Sequence, residues 1–570
     1  MYFQSLCRAA LAAGLILSLT PCAPAYARHH PMYSNEGMVA SAEPVATQVG
    51  FEVLRAGGNA ADAAVAVGFA LAVAHPIAGN IGGGGFIVYR EPSGEVHTLD
   101  YREKAPEKAR RDMFLGPDRK PDSKLSTKTL LAVGVPGSVA GMLETLERFG
   151  SGRLSRQEIM APAIRLAEQG FPVSLGWHET LRDSRERLAV HPSTAAVFYP
   201  GGKVPDAGDT LRQPDLTRTL REIASRGRAG FYSGWVADSL AHFMAANGGL
   251  ITRADLAAYV CVPRPPVIFT YQGYRFYGMG PPSSGAVVLG QILGLLEPFD
   301  LKSMGHNSAA YVYHLVEAER LAYADRNHFL GDPDFVKIPL KSLLAKSYLD
   351  RRRSLIPENA AGKSSPASHG APEHFQTTHF SVVDSRGGAA AITTTLNGGF
   401  GMGAVVPGAG FLLNNEMDDF SAAPGKPNLA GLVQGEANAV AGGKRMLSSM
   451  TPTIITRLDK SGNAELFLVL GASGGPTITT SVLQVFLNMA HFGMNVREAI
   501  EAPRFHHQHL PDVVYTEKAF PEDTRKLLAG MGYTLEERQY IGSAAAIAAL
   551  PEGWFAGWAD GVGAGAGTGF

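Results

Sequence analysis

Residues 357–384 read PENAAGKSSPASHGAPEHFQTTHFSVVD, and the chain changes character partway through them. Pro357 to Gln376 is rich in Pro, Ser, Gly and Ala with almost no large apolar side chain, the composition of a mobile, exposed connector. From there Thr378, Phe380 and Val382 alternate with Thr377, His379 and Ser381, which predicts a strand. A turn at 384–388 leads to a second strand over 389–396, so a loose tail feeds straight into a core hairpin that opens with Thr-Thr. A threonine hydroxyl is a weak nucleophile unless a base sits beside it. Breaking the Gln376–Thr377 bond gives Thr377 a free α-amine, whose pKa of about 7.7–8.0 suits general-base work near neutral pH. One residue then carries both nucleophile and base, and its hydroxyl can make the cut by attacking the Gln376 carbonyl through an ester. On the residues alone, a threonine that merely begins a strand explains the pattern too.

Outward from this boundary, hairpin material recurs at 453–457 and 465–470. Upstream, 38–41 reads as a short strand and 44–56 as a helix with Pro in its first turn and Gly57-Gly58 beyond its end. Asn59 is a fitting N-cap for 60–73, an Ala-rich run that is apolar nearly all round and so predicts a buried helix. Residues 86–89 and 96–101 read as paired strands. The middle, 126–353, reads as helix-rich with a break at Pro263-Arg-Pro-Pro266, and Arg351 to Arg353 as a solvated face.

With 51 Lys+Arg against 52 Asp+Glu, bulk charge gives no support for nucleic-acid binding. At the N-terminus, Arg8, an apolar run over 9–20 and Ala25-Tyr26-Ala27 read as a signal peptide over 1–27, with a mature chain from near Arg28 and no membrane anchor. Cys7 and Cys22 leave with it. Cys261 then remains without a partner for an internal disulfide, and its apolar surroundings favour packing. Gly82 to Gly85 lack the Gly-Lys-Ser/Thr of a phosphate loop. His506, His507 and His509 raise the question of a metal, but no ligand spacing around them answers it.

TTHFSVVD at 377–384 resembles the start of the small subunit in the γ-glutamyltransferase (γ-glutamyltranspeptidase) family of N-terminal-nucleophile hydrolases. The likeness continues through TTTLNGGFG (393–401), LLNNEMDDFS (412–421), KRMLSSMTPTI (444–454) and APRFHHQ (502–508). GNAADAAVA (58–66), GNIGGGGF (79–86) and LDYREKAP (99–106) resemble its large-subunit motifs, in the same order along nearly the whole mature chain.

The resemblance implies a four-layer αββα sandwich, made as one precursor and cut into a large subunit of 28–376 and a small one of 377–570. It implies Thr377 as nucleophile, Thr395 as a hydroxyl associated with self-cleavage, and Gly474 and Gly475 as the backbone oxyanion hole. Arg102, Ser448 and Ser449 would take the α-carboxylate of a γ-glutamyl group, and Glu416 and Asp419, with Asn397, its α-ammonium. The implied substrates are glutathione and related γ-glutamyl compounds, the implied acceptors water, amino acids or dipeptides, and no cofactor or metal is required. An acylase on the same fold, or an unprocessed exported binding protein, are the alternatives. Three departures from the family stand out: Ala430 where some bacterial members carry a lid tyrosine, Ala544 to Ala546 in place of a more polar stretch, and the C-terminus ADGVGAGAGTGF.

Overall fold

The computed structural model describes residues 30–364, 375–428 and 430–560. The expected signal peptide, half of the expected connector (365–374) and the last ten residues lie outside them. In chain order the strands are β1 (Met32–Ser34), β2 (Gly37–Ser41), β3 (Gly84–Arg90), β4 (Val96–Tyr101), β5 (Val262–Arg264), β6 (Val267–Tyr271) and β7 (Tyr274–Gly278). They continue as β8 (Phe375–Asp384), β9 (Ala389–Gly398), β10 (Thr453–Leu458), β11 (Ala464–Ser473), β12 (Ser543–Ala549) and β13 (Phe555–Ala559). The helices needed below are α1 (Pro44–Arg55), α2 (Ala60–Ala74), α3 (Ser138–Phe149), α4 (Gly285–Leu296), α5 (Ala309–Phe329) and α6 (Thr477–Ala490).

Two antiparallel sheets stack face to face, one ordered β1-β13-β12-β11-β10-β7-β6 and the other β2-β8-β9-β3-β4-β5. Helices α2 and α3 cover the outer face of the six-stranded sheet, with α1 packed on α2 and β2; α4 and α6 cover the other sheet. This is the expected αββα sandwich. Its six-stranded sheet interleaves strands from both sides of residue 377, since β8 pairs with β2 and β9 with β3.

Strand periodicity explains the layering. Phe380 and Val382 of β8, Ala390 and Ile392 of β9, and Ile87 and Tyr89 of β3 join the core beneath the outer helices. Their neighbours Val383, Ala389, Ala391, Phe86 and Val88 enter the core that includes the inter-sheet space. Because successive side chains alternate, Thr377, His379 and Ser381 share the inter-sheet side with Val383. The sheets interdigitate there closely enough that a Cβ on Gly471 of β11 would overlap the His379 ring.

Most expected elements appear within two or three residues of their predicted ends. Asn59 caps α2 in a reciprocal capping box with Asp62. Differences have local causes. The proline-rich break at 263–266 holds the end of β5 and the two-residue link to β6, and the two-residue turn Gln272-Gly273, with both φ values positive, joins β6 to β7. Of the three arginines read as a solvated face, only Arg351 is exposed. Arg352 pairs with Asp325 at 3.0 Å, and Arg353 donates to the carbonyls of Gly294 and Leu295. The beginning of the stretch read as a connector is tied down, with Ala361 N donating to Met531 O and Ser364 N to Asp512 Oδ2, each at 2.9 Å. Ala544 to Ala546 lie buried in β12, paired with β11, so that departure concerns sheet packing and not the pocket described below.

The glycine run before β3 permits close backbone approach to β9. Asn80 Nδ2 donates to Thr395 O at 2.9 Å, Gly83 N donates to Asn80 Oδ1, and the Gly83 carbonyl accepts from the N-terminus of α3. A Cβ on Gly83 would overlap the Thr395 carbonyl oxygen. Gly83→Ala is therefore expected to destabilise the protein by on the order of 1–3 kcal/mol and to lower activity by shifting Thr395, as read by the thermal midpoint and an activity assay side by side.

Candidate active site

Thr377 is buried at the start of the inward-facing row of β8, directly opposite Thr395 of β9, and donates from Oγ1 to Thr395 Oγ1 at 3.3 Å. The register between the two strands slips between Phe375 and Thr377. One residue of β8, Gln376, lies opposite two of β9, Leu396 and Asn397, so the extra residue of this bulge belongs to β9 and faces the residue that precedes Thr377. Thr395 Oγ1 also accepts from Asn397 N at 2.8 Å, and Asn397 has a positive φ of 73°. His379, two residues beyond Thr377, lies between Thr393 Oγ1 and Ser381 Oγ. Burial pushes its pKa down to about 3, so the ring is neutral and a poor proton acceptor.

A pocket with about 340 Å³ of empty space, its open mouth included, lies at Thr377. Arg102, Thr395, Asn397, Glu416, Asp419, Ser448, Ser449 and Gly475 all line it, so nearly all the expected site residues converge on one place. Gly474 sits just behind it. Gly474 and Gly475 have φ values of 122° and 61°, the left-handed region that favours glycine, and they lead into the N-terminus of α6. That end of a helix carries a partial positive charge, which suits a developing oxyanion.

The charged groups hold one another. Arg102 is fully buried, donating from Nη1 to Glu416 Oε1 at 2.6 Å, from Nη2 to Asp419 Oδ2, and from Nε to Met446 O. Glu103 Oε2 lies 3.5 Å from the same guanidinium. Burial works against the charge on Arg102, but the surrounding carboxylates outweigh it and push its pKa up. Burial raises Glu416 and Glu103 above the ordinary carboxylate range despite the pull of Arg102. Among the described residues Glu416 Oε2 has no hydrogen-bond partner.

The serines have the opposite preference. Ser448 Oγ accepts from Met450 N at 3.1 Å, and Ser449 Oγ accepts from Arg326 Nη2 at 3.1 Å. A hydroxyl that already accepts keeps its proton to donate, so both are preset as donors. The remaining wall is apolar: Ala430, Leu432, Met450, Pro476 and Ile478. Ala430 lies in the hairpin closed by the Pro427–Val433 bridge, and its carbonyl accepts from Gln508 Nε2 at 3.0 Å.

Sequence reading missed Arg326. Its signal is the run Glu317, Glu319, Arg320, Asp325, Arg326 in α5, five charged residues that are all buried. Cys261 packs against the outer core, where burial pushes its thiol pKa up and leaves it inert. His506 bonds Thr480 and Gln508, and His507 bonds Asp512.

This fold and pocket define a hydrolase or acyltransferase of the N-terminal-nucleophile type. Residues 46–570 match the family profile described as gamma-glutamyltranspeptidase, and the chain belongs to that family. It is 48% identical over 535 residues to the glutathione hydrolase proenzyme of Escherichia coli strain K12, covering 93% of this chain and 91% of that one. Among solved structures, the cephalosporin acylase from Bacillus halodurans superposes with a TM-score of 0.84 at 27% identity, covering 96% of this chain and 98% of the other. The gamma-glutamyltranspeptidase of Helicobacter pylori matches with a TM-score of 0.56 at 44% identity, over 57% of this chain and 93% of that one.

The caged guanidinium has a measurable consequence. Arg102→Met leaves buried carboxyls without their cation and is expected to cost about 3–5 kcal/mol, seen as a lower thermal midpoint. Adding Glu416→Gln to Arg102→Met removes one of those carboxylates and recovers part of the loss.

Proposed function

We propose that this chain is an exported, self-processed glutathione hydrolase and γ-glutamyltransferase in which Thr377 is the nucleophile. The observation that carries the reading is the meeting, in one pocket, of Thr377 with a buried cation, two acidic groups and two donor-set serines. Cleavage before Thr377 would produce a large subunit ending at Gln376 and a small subunit starting at Thr377, which remain together because their strands alternate in one sheet. The proenzyme name of the Escherichia coli relative supports processing.

Thr377 Oγ attacks the γ-amide carbon while its freed α-amine takes the hydroxyl proton. The backbone N–H groups of Gly474 and Gly475 meet the developing oxyanion. Collapse breaks the C–N bond, the α-amine passes its proton to the leaving amine, and a γ-glutamyl ester remains on Thr377. Water or the amine of an amino acid or dipeptide then attacks the ester, releasing glutamate or a new γ-glutamyl amide. None of these steps calls for a cofactor.

Specificity follows from charge exchange. A γ-glutamyl group brings an α-carboxylate and an α-ammonium side by side. The ammonium can replace Arg102 as partner of Glu416 and Asp419, while the carboxylate takes the guanidinium fork and the two serine donors. Each buried charge then keeps an opposite. A glutaryl group brings the carboxylate alone and leaves the acids unpaired, which disfavours the acylase reading that the Bacillus halodurans structure raises.

Two measurements test this. Intact mass under denaturing conditions is expected to give two chains meeting at Gln376–Thr377 for the wild type and one chain for Thr377→Ala; an uncut wild type would favour an exported binding protein. The processed enzyme is expected to prefer γ-glutamyl-p-nitroanilide over glutaryl-p-nitroanilide by about thirtyfold or more in kcat/KM, the effect of leaving one buried charge unpaired. Equal rates or the reverse preference would assign an acylase.

A further inference from the structure

Arg326 lies on α5 and is 1% exposed, yet among the described residues no carboxylate lies within 4.0 Å of its guanidinium. Among the other buried arginines, Arg102, Arg320, Arg445 and Arg504 each sit against an acidic side chain, while Arg90 at the end of β3 donates to the backbone carbonyls of Glu91 and Gly387. Arg326 has only neutral acceptors. Nε donates to Ser284 Oγ at 3.1 Å, Nη1 to Asn327 Oδ1 at 3.0 Å and Gln434 Oε1 at 3.2 Å, and Nη2 to Ser449 Oγ at 3.1 Å. Burial pulls its pKa down to about 10, which still leaves it charged at neutral pH. Asp419 supports that charge only from beyond contact distance, and a buried cation with no anion in contact is unfavourable by several kcal/mol, a cost that an arriving anion would offset.

Its neighbours indicate where that partner binds. Ser449 lines the pocket. Ser284 Oγ donates to the Ser448 carbonyl at 2.8 Å, and Gln434 Nε2 donates to the Asp419 carbonyl at 3.0 Å. One guanidinium thus touches Ser449 directly, Ser448 through Ser284, and the Asp419 backbone through Gln434. It donates to one lone pair of Ser449 Oγ, which leaves that hydroxyl's proton free to be given to a group in the pocket.

We propose that Arg326 is the positioning residue for the carboxylate end of the substrate: it presets Ser449 as a donor and places a buried positive charge behind it. The α-carboxylate of the γ-glutamyl group is then the anion that the cation lacks in the free protein. This rests on the reading of Ser448 and Ser449 given above.

The test compares γ-glutamyl-p-nitroanilide with 4-aminobutyryl-p-nitroanilide, which differs only in lacking the carboxylate, using processed enzyme checked by intact mass. Arg326→Gln is expected to raise KM about tenfold for the first substrate, with kcat little changed, and by less than about twofold for the second. Arg326→Lys, which keeps the charge, recovers part of the loss. In a Ser449→Ala background the effect of Arg326→Gln shrinks to about threefold, because the hydroxyl it orients is gone and only the charge behind it is left to lose. Equal losses on both substrates, or full additivity with Ser449→Ala, would overturn the proposal. If Arg326→Gln does not fold, Arg326→Lys decides: a KM rise confined to γ-glutamyl-p-nitroanilide sustains the proposal, and equal rises on both substrates refute it. A wild type indifferent to the carboxylate would instead refute the reading of the two serines, before Arg326 is tested.

Discussion

The register of β8 is the constraint on which the rest depends. A strand buried on one face tolerates a slip poorly; one buried on both faces cannot slip at all without moving every side chain into the wrong core. Phe380 and Val382 belong beneath the outer helices, and Val383 belongs to the inter-sheet core. Pairing with β2 on one side and β9 on the other fixes the strand along its length. Thr377 inherits its inward direction from that pairing. The bulge at Leu396 and Asn397 of β9 lies opposite Gln376, so the regular register of the hairpin ends at the residue before Thr377.

The pocket is arranged as exchangeable charge. Arg102 pairs with Glu416 and Asp419 in the free protein, so the buried guanidinium and the buried Glu416 carboxyl each have a partner, with the half-buried Asp419 completing the cluster. A ligand carrying both signs can take over these pairs one for one. A ligand carrying one sign can only break them. Such a site gains selectivity from the cost of mismatch more than from the strength of any contact. Beside this polar half stands the apolar wall of Ala430, Leu432, Met450 and Ile478, which offers shape without charge.

The sequence was most legible where both faces of an element are buried. The alternation over 377–396 and the all-apolar run over 60–73 left little choice of structure, and the elements formed there. Site chemistry was legible through the resemblance, since Arg102, Ser448 and Glu416 look unremarkable among their neighbours until the fold brings them together. Edge strands were less visible. The β6–β7 hairpin carries exposed residues such as Ile268 and a Gln-Gly turn that reads weakly, and the prolines at 263–266 just before it read only as a break in a helix-rich stretch. Arg326 was hidden for another reason: a charged residue in a helix is by default solvated, and only burial shows that α5 keeps five of them from water.

Those buried charges of α5 connect the site to the chain segment that precedes it. Glu317 accepts from Gly362 N at 3.0 Å and from Tyr533 Oη at 2.6 Å, and Arg320 donates to Ser364 Oγ and to Asp512. Residues 362–364 are thereby fastened to α5 and to loops from the C-terminal third of the chain. Four residues further along α5 from Glu319, Tyr323 donates to the Pro476 carbonyl at 2.5 Å, at the N-terminus of α6, and Arg326 follows with its fork on Ser449. One helix therefore ties down the stretch leading toward Gln376, braces the glycine turn before α6 and backs the pocket's serines. Burying five charges in a helix is costly, and here each of these three tasks falls to a polar side chain that an apolar helix could not supply.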